Sequence, residues 1–144
     1  MPEHGPARAL DVAKRALARR DHSERGLRER LARGGIELDD AETAVRTLRD
    51  AGLLDDARFA AQRARALAER GRSDRAIRFD LESQGVDRDL VAEALAALEP
   101  ERERAARVVS RRGSGPKTAR LLVQRGFDPD VVEQALGGAV APDL

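Results

Sequence analysis

The sequence predicts an all-α protein built from tandem three-helix repeats, with three units stacked into an elongated, curved array. Alanine and arginine dominate the 144 residues and only 2% are aromatic, a composition that favours helix formation. No run of alternating apolar and polar residues rich in valine, isoleucine and threonine indicates a strand. A set of positions also recurs three times along the chain, which indicates a repeat architecture.

The repeat consists of seven positions, spaced by 50 residues between the first two copies and by 41 between the second and third. Each copy has a serine, a leucine eight residues later, a glycine four residues after that and an apolar residue directly behind the glycine. An aspartate, an alanine and another apolar residue follow in register. The first four positions hold Ser23, Leu31, Gly35 and Ile36; Ser73, Leu81, Gly85 and Val86; and Ser114, Leu122, Gly126 and Phe127.

Each repeated position has a physical role that predicts three short helices per unit. The serine should cap the second helix by accepting a hydrogen bond from its first turn. The glycine and the apolar residue behind it should close that helix in a Schellman turn. Asp128 and Pro129 mark the start of a third helix, with Asp87 at the matching position of the second unit and Glu37, a weaker cap, in the first.

These signals divide the chain into three repeats and two tails. Residues 1–6 form an N-terminal tail, residues 7–54, 55–98 and 99–138 form the repeats, and residues 139–144 form a C-terminal tail. In the first repeat we expect helices over about residues 7–19, 24–33 and 38–51. One such unit buries too little apolar surface to be stable alone, so neighbouring units must stack.

The corner between the first two repeats, Gly52-Leu53-Leu54-Asp55-Asp56-Ala57-Arg58-Phe59-Ala60, is interpreted as one helix ending and the next beginning. Gly52 suits the left-handed position behind a helix, and Asp55 suits the N-cap of the next helix. Leu53 should pack back on the ending helix, and Leu54 should form a hydrophobic staple with Phe59. We expect these five residues to make a stiff structural junction that joins two small cores.

The second junction is predicted to be different from the first. It is nine residues shorter, and Leu98-Glu99-Pro100 contains no glycine, so it should have no equivalent of the first corner. We therefore expect another angle between the second and third units, and more flexibility near Glu99 and Pro100.

Charge alternates in register with the repeat, although the formal net charge of the chain is only +1. The first two helices of each unit are basic and the third is acidic. Such charges usually solubilise a helical protein and pair within it, but a regular alternation also favours a charged binding face. The segments 7–33, 58–78 and 101–126 carry net charges of +5, +5 and +6, and the segments 37–57, 79–100 and 127–144 carry −5, −5 and −4.

Residue types that carry catalysis or bind metals are scarce. The chain has no cysteine, which excludes disulfides and thiolate metal sites, and neither His4 nor His22 has a metal-ligating partner at helical spacing. His22 beside Asp21 and Ser23 is interpreted as a turn histidine, since triad members rarely adjoin in sequence. We therefore predict no enzyme activity, no cofactor and no metal.

Targeting and phosphate-loop motifs are missing as well. No apolar run approaches the roughly 20 residues of a membrane span, and residues 1–6 lack the apolar segment of a secretion signal, so we expect a soluble cytoplasmic protein. The stretch Gly113-Ser114-Gly115-Pro116-Lys117-Thr118 lacks the preceding strand and leading glycine of a phosphate loop. It is interpreted as a helix start with Pro116 near the first position. Aromatic stacking platforms for single-stranded nucleic acid are also missing.

These motifs resemble those of the RecX regulatory family over about residues 7–137. The most specific match is the corner at residues 52–60. In place of the lysine or arginine that is often found two residues before the turn glycine, this chain has Ser83. The other matching stretches are Arg20-Asp21-His22-Ser23-Glu24 with Leu27 and Leu31, Gln84-Gly85-Val86, and Arg125-Gly126-Phe127.

The resemblance implies a bacterial, cytoplasmic regulator of the RecA recombinase in DNA repair and the SOS response. Members of the family are built of tandem three-helix units and bind in the helical groove of the RecA–DNA filament. They hinder filament growth and suppress strand exchange, ATP hydrolysis and co-protease activity, and some also bind DNA. On this basis we expect a monomer that binds the RecA filament and no membrane. A stiff array with alternating charge suits a groove that repeats along a filament.

The partner-binding residues are predicted at the turns between the first and second helices, where basic side chains cluster in every unit. These cations could steer the protein toward acidic filament surface or phosphate, or they could be solvated helix ends. The alternative function is direct nucleic-acid binding by a helical-repeat protein, with affinity that falls steeply as salt rises. The predicted partner-binding residues are Arg19, Arg20 and Arg25; Arg70, Arg72 and Arg75; and Arg111, Arg112 and Lys117.

Overall fold

The computed structural model describes residues 5–139, which form nine α-helices and no strand within that range. The all-α helical-repeat fold predicted from the sequence is therefore confirmed. We call α1–α3 unit 1, α4–α6 unit 2 and α7–α9 unit 3. The helices are α1 (Gly5–Arg19), α2 (Glu24–Arg33), α3 (Leu38–Asp50), α4 (Asp56–Glu69), α5 (Asp74–Ser83), α6 (Arg88–Ala96), α7 (Glu101–Arg112), α8 (Pro116–Gln124) and α9 (Pro129–Ala139).

Each unit has a hydrophobic core of its own, formed where its three helices contact one another. The three clusters of buried residues are separate, so the units are not fused by a common core. The residue limits given above for the repeats and tails stay predictions. The core side chains include Leu27, Leu31 and Leu48 in unit 1; Phe59, Ile77 and Leu81 in unit 2; and Val109, Leu122 and Phe127 in unit 3.

Three helix starts are capped as the sequence predicts. Ser23 Oγ accepts a hydrogen bond from the backbone N–H of Gly26 at 3.0 Å, and Ser73 makes the same kind of bond in α5 at 3.0 Å. Asp55 Oδ1 accepts from the N–H of Arg58 at 3.1 Å. These bonds satisfy N–H groups of the first turn that have no partner within the helix.

The starts of the third helices are capped unequally. Asp128 Oδ1 accepts from the N–H of Asp130 at 2.9 Å, with Pro129 as the first residue of α9. Glu37 and Asp87 occupy the N-cap positions of α3 and α6, but neither side chain makes a capping bond. The cap predicted at Asp128 is confirmed, and the matching cap predicted at Asp87 is wrong.

The predicted Schellman turns close α2, α3, α5 and α8. In the first of them Gly35 has a φ of 79°, and the N–H of Ile36 donates to the carbonyl of Leu31 at 3.0 Å. A left-handed backbone is easily adopted by glycine and costly for other residues. The same bond is made by the N–H groups of Leu53, Val86 and Phe127, behind Gly52, Gly85 and Gly126, at 2.9, 3.1 and 3.0 Å.

Ser114 does not cap α8, so the capping role predicted for the repeated serine is wrong in unit 3. The helix begins at Pro116, and its N-cap residue is Gly115, with no side-chain capping bond. Ser114 is exposed, whereas Ser23 and Ser73 are buried. Because proline holds a helical φ and has no N–H to satisfy, Pro116 starts the helix one residue later than the repeat spacing predicts. The predicted place of Pro116 near the first helical position is confirmed.

The corner at residues 52–60 turns the chain but does not join the two cores. Leu54 is buried in the core of unit 1 and Phe59 in the core of unit 2, while Leu53 is 55% exposed. The prediction that these three side chains join the two cores is therefore wrong. The N–H groups of Leu53 and Leu54 both donate to the carbonyl of Leu48, at 2.9 and 3.2 Å. This tight turn leaves one of the two consecutive side chains in the core and the other in solvent.

A polar contact, which we call the first clasp, connects units 1 and 2. The hydroxyl of Ser23 donates to the carbonyl of Gln84 at 2.6 Å, and the backbone N–H of Glu24 donates to Asp56 Oδ1 at 2.8 Å. The guanidinium of Arg25 donates to the carbonyl just before Gln84. The N-terminus of α2 is therefore docked on the first turn of α4 and on the glycine turn behind α5.

A second clasp of similar design connects units 2 and 3, although this junction has no glycine corner like that of residues 52–60. The N–H of Asp74 donates to Glu101 Oε1 at 3.0 Å, and the N–H of Ser73 donates to the carbonyl of Arg125 at 3.2 Å. The clasp is built from helix N-termini and a glycine turn, so the shorter loop did not prevent it. The different angle and the greater flexibility near residues 99–100 stay predictions.

Candidate anion-binding groove between units 2 and 3

A groove of about 500 Å³ lies beside the second clasp, between the C-terminal part of α4 and α7. Its lining includes seven arginines and two glutamates, which leaves a formal excess of five positive charges. The volume is that of a small-molecule site, and a concave wall of one charge sign concentrates ligands of the other sign. The charged lining residues are Arg65, Arg70, Arg104, Arg107, Arg111, Arg112, Arg125, Glu69 and Glu99.

Two of the seven arginines are paired with acids. Arg104 lies 2.8 Å from Asp74, and Arg107 lies 2.5 Å from Glu99. The other five have no carboxylate within 4.0 Å among residues 5–139, and we call them the free groove arginines. They are Arg65, Arg70, Arg111, Arg112 and Arg125.

The side chain of Arg125 crosses from unit 3 to unit 2. It lies against Gly71, where a Cβ atom would come within 2.2 Å of Arg125 Nη1, so a larger residue there would force this side chain to shift. Burial lowers the pKa of Arg125, and the positive charges of Arg112 and Arg72 lower it further. Like charges from two units therefore face one another here, and an anion bound between them would remove that repulsion.

Arg104 anchors the floor of the groove. It is only 9% exposed, and its guanidinium donates to Asp74 Oδ1 at 2.8 Å, to the carbonyl of Glu99 at 3.1 Å and to the carbonyl of Arg72 at 3.1 Å. It is the fourth residue of α7, the position that Phe59 holds in α4. A hydrogen-bonded cation thus replaces an aromatic core residue at the second junction.

The nine basic residues predicted as partner-binding are all exposed, but the structure brings only some of them together. Arg70, Arg111 and Arg112 meet in the groove, so the predicted clusters of units 2 and 3 share one site. Arg72 lies outside the lining but acts electrostatically on Arg125. Lys117 lines a separate cavity of about 440 Å³ with Arg112. Arg75 lines none of these cavities.

The predicted cluster of unit 1 is divided between two places. Arg19 and Arg20 line a cavity of about 550 Å³ together with His22 and Arg30. Arg25, in contrast, belongs to the first clasp and lies against Gly85, where a Cβ would come within 2.7 Å of its side chain. Its guanidinium therefore contributes to the contact between units 1 and 2.

Two domain models of known proteins match the chain in the order in which its units occur. The first three-helix domain of RecX matches residues 9–48, and the second three-helix domain of RecX matches residues 55–95. Together they cover more than half of the chain. The chain belongs to the RecX family of regulatory proteins. The resemblance noted in the sequence is thereby confirmed.

Relatives named Regulatory protein RecX match this family member over most of its length. The relative from Stenotrophomonas maltophilia (strain R551-3) is 37% identical over 129 residues, which cover 83% of this chain and 79% of that protein. The relative from Chromohalobacter salexigens is 38% identical over 138 residues, which cover 90% of this chain and 91% of that protein.

Solved RecX structures share the fold. The crystal structure of RecX from Lactobacillus salivarius has a TM-score of 0.80 with this chain, at 16% identity, and the match covers 95% of this chain and 97% of that one. A crystal structure of another regulatory protein RecX has a TM-score of 0.74 at 22% identity, covering 90% of this chain and 70% of that one. At such identities the likeness concerns the fold alone.

Sequence reasoning missed four groove arginines of this RecX chain. Arg104, Arg107 and Arg111 are spaced by three and four residues, which places them on one face of α7, so this spacing could have revealed the wall. Arg65 lies one turn before the predicted cluster at residues 70–75. Arg125 had no comparable signal, because only the docking of unit 3 brings it to Gly71.

Residues 5–139 contain no group of three histidine or acidic side chains able to hold a metal ion, and none of their helices is long and apolar enough to cross a membrane. His22 is buried, and its Nδ1 lies 3.0 Å from the carbonyl of Arg20. It therefore supports the turn, as the sequence suggested.

Proposed function

We propose that this RecX-family protein is a non-enzymatic, cytoplasmic regulator that binds the RecA recombinase filament in its helical groove. There it inhibits filament growth, ATP hydrolysis, strand exchange and co-protease activity, and so regulates DNA repair and the SOS response. The observation that carries the proposal is the match of two successive RecX three-helix domains to units 1 and 2. We expect the protein to act as a monomer.

Occlusion is the mechanism that this architecture supports. Three units in series, each docked on the next by a clasp, place several basic regions along one chain. Contacts from different units to neighbouring filament protomers reinforce one another, because after the first contact the others form within one complex. A protein held across the groove in this way blocks the addition of protomers and the movements that strand exchange requires.

The proposed contact residues are the nine basic residues predicted from the sequence, with the free groove arginines at the centre. Arg70, Arg111 and Arg112 belong to both sets. Guanidinium groups without an acidic partner can form bidentate bonds with carboxylates or phosphates. Arg25 contributes indirectly, because its guanidinium is already used in the first clasp.

The test is inhibition of the DNA-dependent ATPase of RecA by the purified full chain. We expect wild-type protein to inhibit, and Arg111→Glu/Arg112→Glu to need roughly tenfold more protein for the same inhibition, equivalent to about 1.4 kcal/mol of binding free energy. The matched control Arg33→Glu/Arg46→Glu reverses two exposed arginines of unit 1 and should inhibit like wild type. The proposal fails if wild-type protein neither inhibits the ATPase nor is retained by immobilised RecA filaments.

Direct binding of nucleic acid is the second candidate function, and the free groove arginines favour it. If all five contact phosphates of a single strand, the logarithm of the binding constant should fall with the logarithm of salt concentration with a slope of about −3.5. The acidic third helices oppose this function, since they repel a phosphate backbone. Fluorescence anisotropy with a labelled oligonucleotide and no RecA decides between the two. Binding to DNA but never to RecA would replace the first candidate by the second.

A further inference from the structure

The two clasps differ at the residue before the glycine turn. In the first clasp this residue is Gln84, a neutral side chain, and its carbonyl accepts from Ser23. In the second clasp it is Arg125, whose carbonyl accepts from the N–H of Ser73 and whose guanidinium reaches across to Gly71. The residue before the glycine turn is thus neutral at the first junction and cationic at the second. In the first clasp the cation at this turn is Arg25, which comes from the other unit.

The cations around the second clasp come from both of the units that it joins. Arg65 and Arg70 belong to unit 2, and Arg111, Arg112 and Arg125 belong to unit 3. None of the five has a carboxylate partner within 4.0 Å among residues 5–139. Closing the junction therefore brings like charges together, and this cost opposes the hydrogen bonds of the clasp.

The hydrogen bonds that offset this cost are arranged differently in the two clasps. In the first clasp a hydroxyl and a guanidinium donate to consecutive carbonyls of the turn before Gly85. In the second, the turn before Gly126 receives one backbone N–H, from Ser73. The remaining contacts are the Asp74 amide bond to Glu101, the pair of Arg104 with Asp74, and the bond from Arg104 to the carbonyl of Arg72.

We propose that the groove is an anion-operated clamp, in which a group of closely spaced phosphates bridges the arginines of unit 2 and unit 3 and holds the second clasp closed. Phosphate oxygens suit several guanidinium groups at once, because each guanidinium can donate two parallel bonds. The phosphates could belong to a free oligophosphate or to a nucleic-acid backbone, and both have the required chemistry. Without them, repulsion between the arginines of the two units favours opening of the second junction. This inference does not require binding to RecA.

Hydrogen exchange measured by mass spectrometry on the full chain tests the clamp, with inorganic tripolyphosphate as the probe and sodium chloride at equal ionic strength as the reference. We expect the amides of Ser73 and Asp74 to exchange roughly tenfold more slowly at ten times the dissociation constant. The amide of Glu24, in the first clasp, serves as the internal reference and should change little. A second arm replaces tripolyphosphate by a short single-stranded oligonucleotide.

Arg125→Gln is the decisive variant, because it copies the residue of the first clasp and keeps the backbone carbonyl that accepts from Ser73. We expect its second junction to be better protected than that of wild type without ligand, and to respond several-fold less to phosphate. Arg70→Gln changes an exposed side chain and should also weaken the slowing of exchange by phosphate. It replaces Arg125→Gln as the test if that variant does not fold. The matched control Arg46→Gln, on α3, should behave like wild type.

Slowing by tripolyphosphate supports the clamp with a free oligophosphate as ligand, and slowing by the oligonucleotide alone supports it with a backbone as ligand. The clamp is refuted if neither probe slows exchange at Ser73 and Asp74. It is equally refuted if both clasps are slowed to the same extent, since that is general screening of charge, or if Arg125→Gln responds like wild type.

Discussion

The carboxylate of Asp56 accepts a hydrogen bond from the backbone N–H of Glu24 at 2.8 Å. Asp56 is the first residue of α4 and Glu24 the first residue of α2, so one carboxylate serves the N-termini of helices in two units. Helix N-termini carry partial positive charge and unpaired N–H groups, which a carboxylate stabilises. Burial nevertheless raises the pKa of Asp56, and the nearby carboxylate of Glu24 raises it further.

Ionisation of the Asp56 carboxyl should therefore lower the free energy of unfolding as pH rises. Because its pKa is raised, the folded chain holds the proton more tightly than the unfolded chain, so the free energy of unfolding falls between the ordinary value of 3.8 and the folded-state pKa. Asp56→Asn keeps an oxygen acceptor and cannot ionise. We expect the stability of this variant relative to wild type to increase with pH over that window, measured by urea unfolding from about pH 3 to about pH 7.

Glu101, whose pKa is also raised by burial, gives an independent check in the second clasp. Glu101→Gln should show the same trend with pH. A stability difference that stays constant or decreases with pH for Asp56→Asn would contradict the assigned cost of burying this carboxylate.

His22 should make the protein less stable in mild acid. Burial lowers the pKa of this imidazole, and the positive charge of Arg20 lowers it further, so the folded chain binds this proton less tightly than the unfolded chain. The stability that neutral His22 contributes is fully present above its ordinary pKa of 6.5. It is lost as pH falls through the folded-state pKa. His22→Asn retains a donor for the carbonyl of Arg20.

We expect wild type to lose stability relative to His22→Asn as pH is lowered from about 7.5 to about 5, measured by urea unfolding. Above about pH 6.5 the difference between the two proteins should level off, which serves as the internal control. A difference that does not change with pH would show that protonation of His22 is not linked to folding.

The three serines of the repeat should respond unequally to replacement by alanine. Ser23→Ala loses a cap and the bond to Gln84, and should cost about 2 kcal/mol of unfolding free energy. Ser73→Ala loses a cap and should cost about 1 kcal/mol. Ser114→Ala removes an exposed side chain with no capping role and should change stability by less than about 0.5 kcal/mol. Equal losses at all three serines in thermal or urea unfolding would contradict the later start of α8.

Phe59 should be essential to the core of unit 2. It is 8% exposed and packs with Ile77 and Leu81, so Phe59→Ala should cost about 3–5 kcal/mol of unfolding free energy. Phe79 is 74% exposed, and Phe79→Ala is a matched control that should cost less than about 0.5 kcal/mol. Similar losses for the two variants in urea unfolding would contradict the burial of Phe59.

The predictions that depended on local hydrogen bonds were confirmed more often than those that depended on packing. The caps at Ser23, Ser73 and Asp55 and the glycine turns are made within five residues of chain, so their residue types can be recognised in the sequence. Leu53 and Leu54 are equally apolar, and no pattern distinguishes the exposed one from the buried one. That choice is made by the turn that ties both amides to Leu48.

The sequence by itself determined the helices, the three-unit repeat and the family, because helix caps, glycine turns and apolar spacing act over a few residues. The tertiary structure alone decided the clasps and the groove. Their bonds join residues that are 61, 32 and 27 positions apart, and no local signal specifies such partners. The basic turns of units 2 and 3 form one site because the second clasp brings Arg125 to Gly71, which leaves the like charges of two units facing one another.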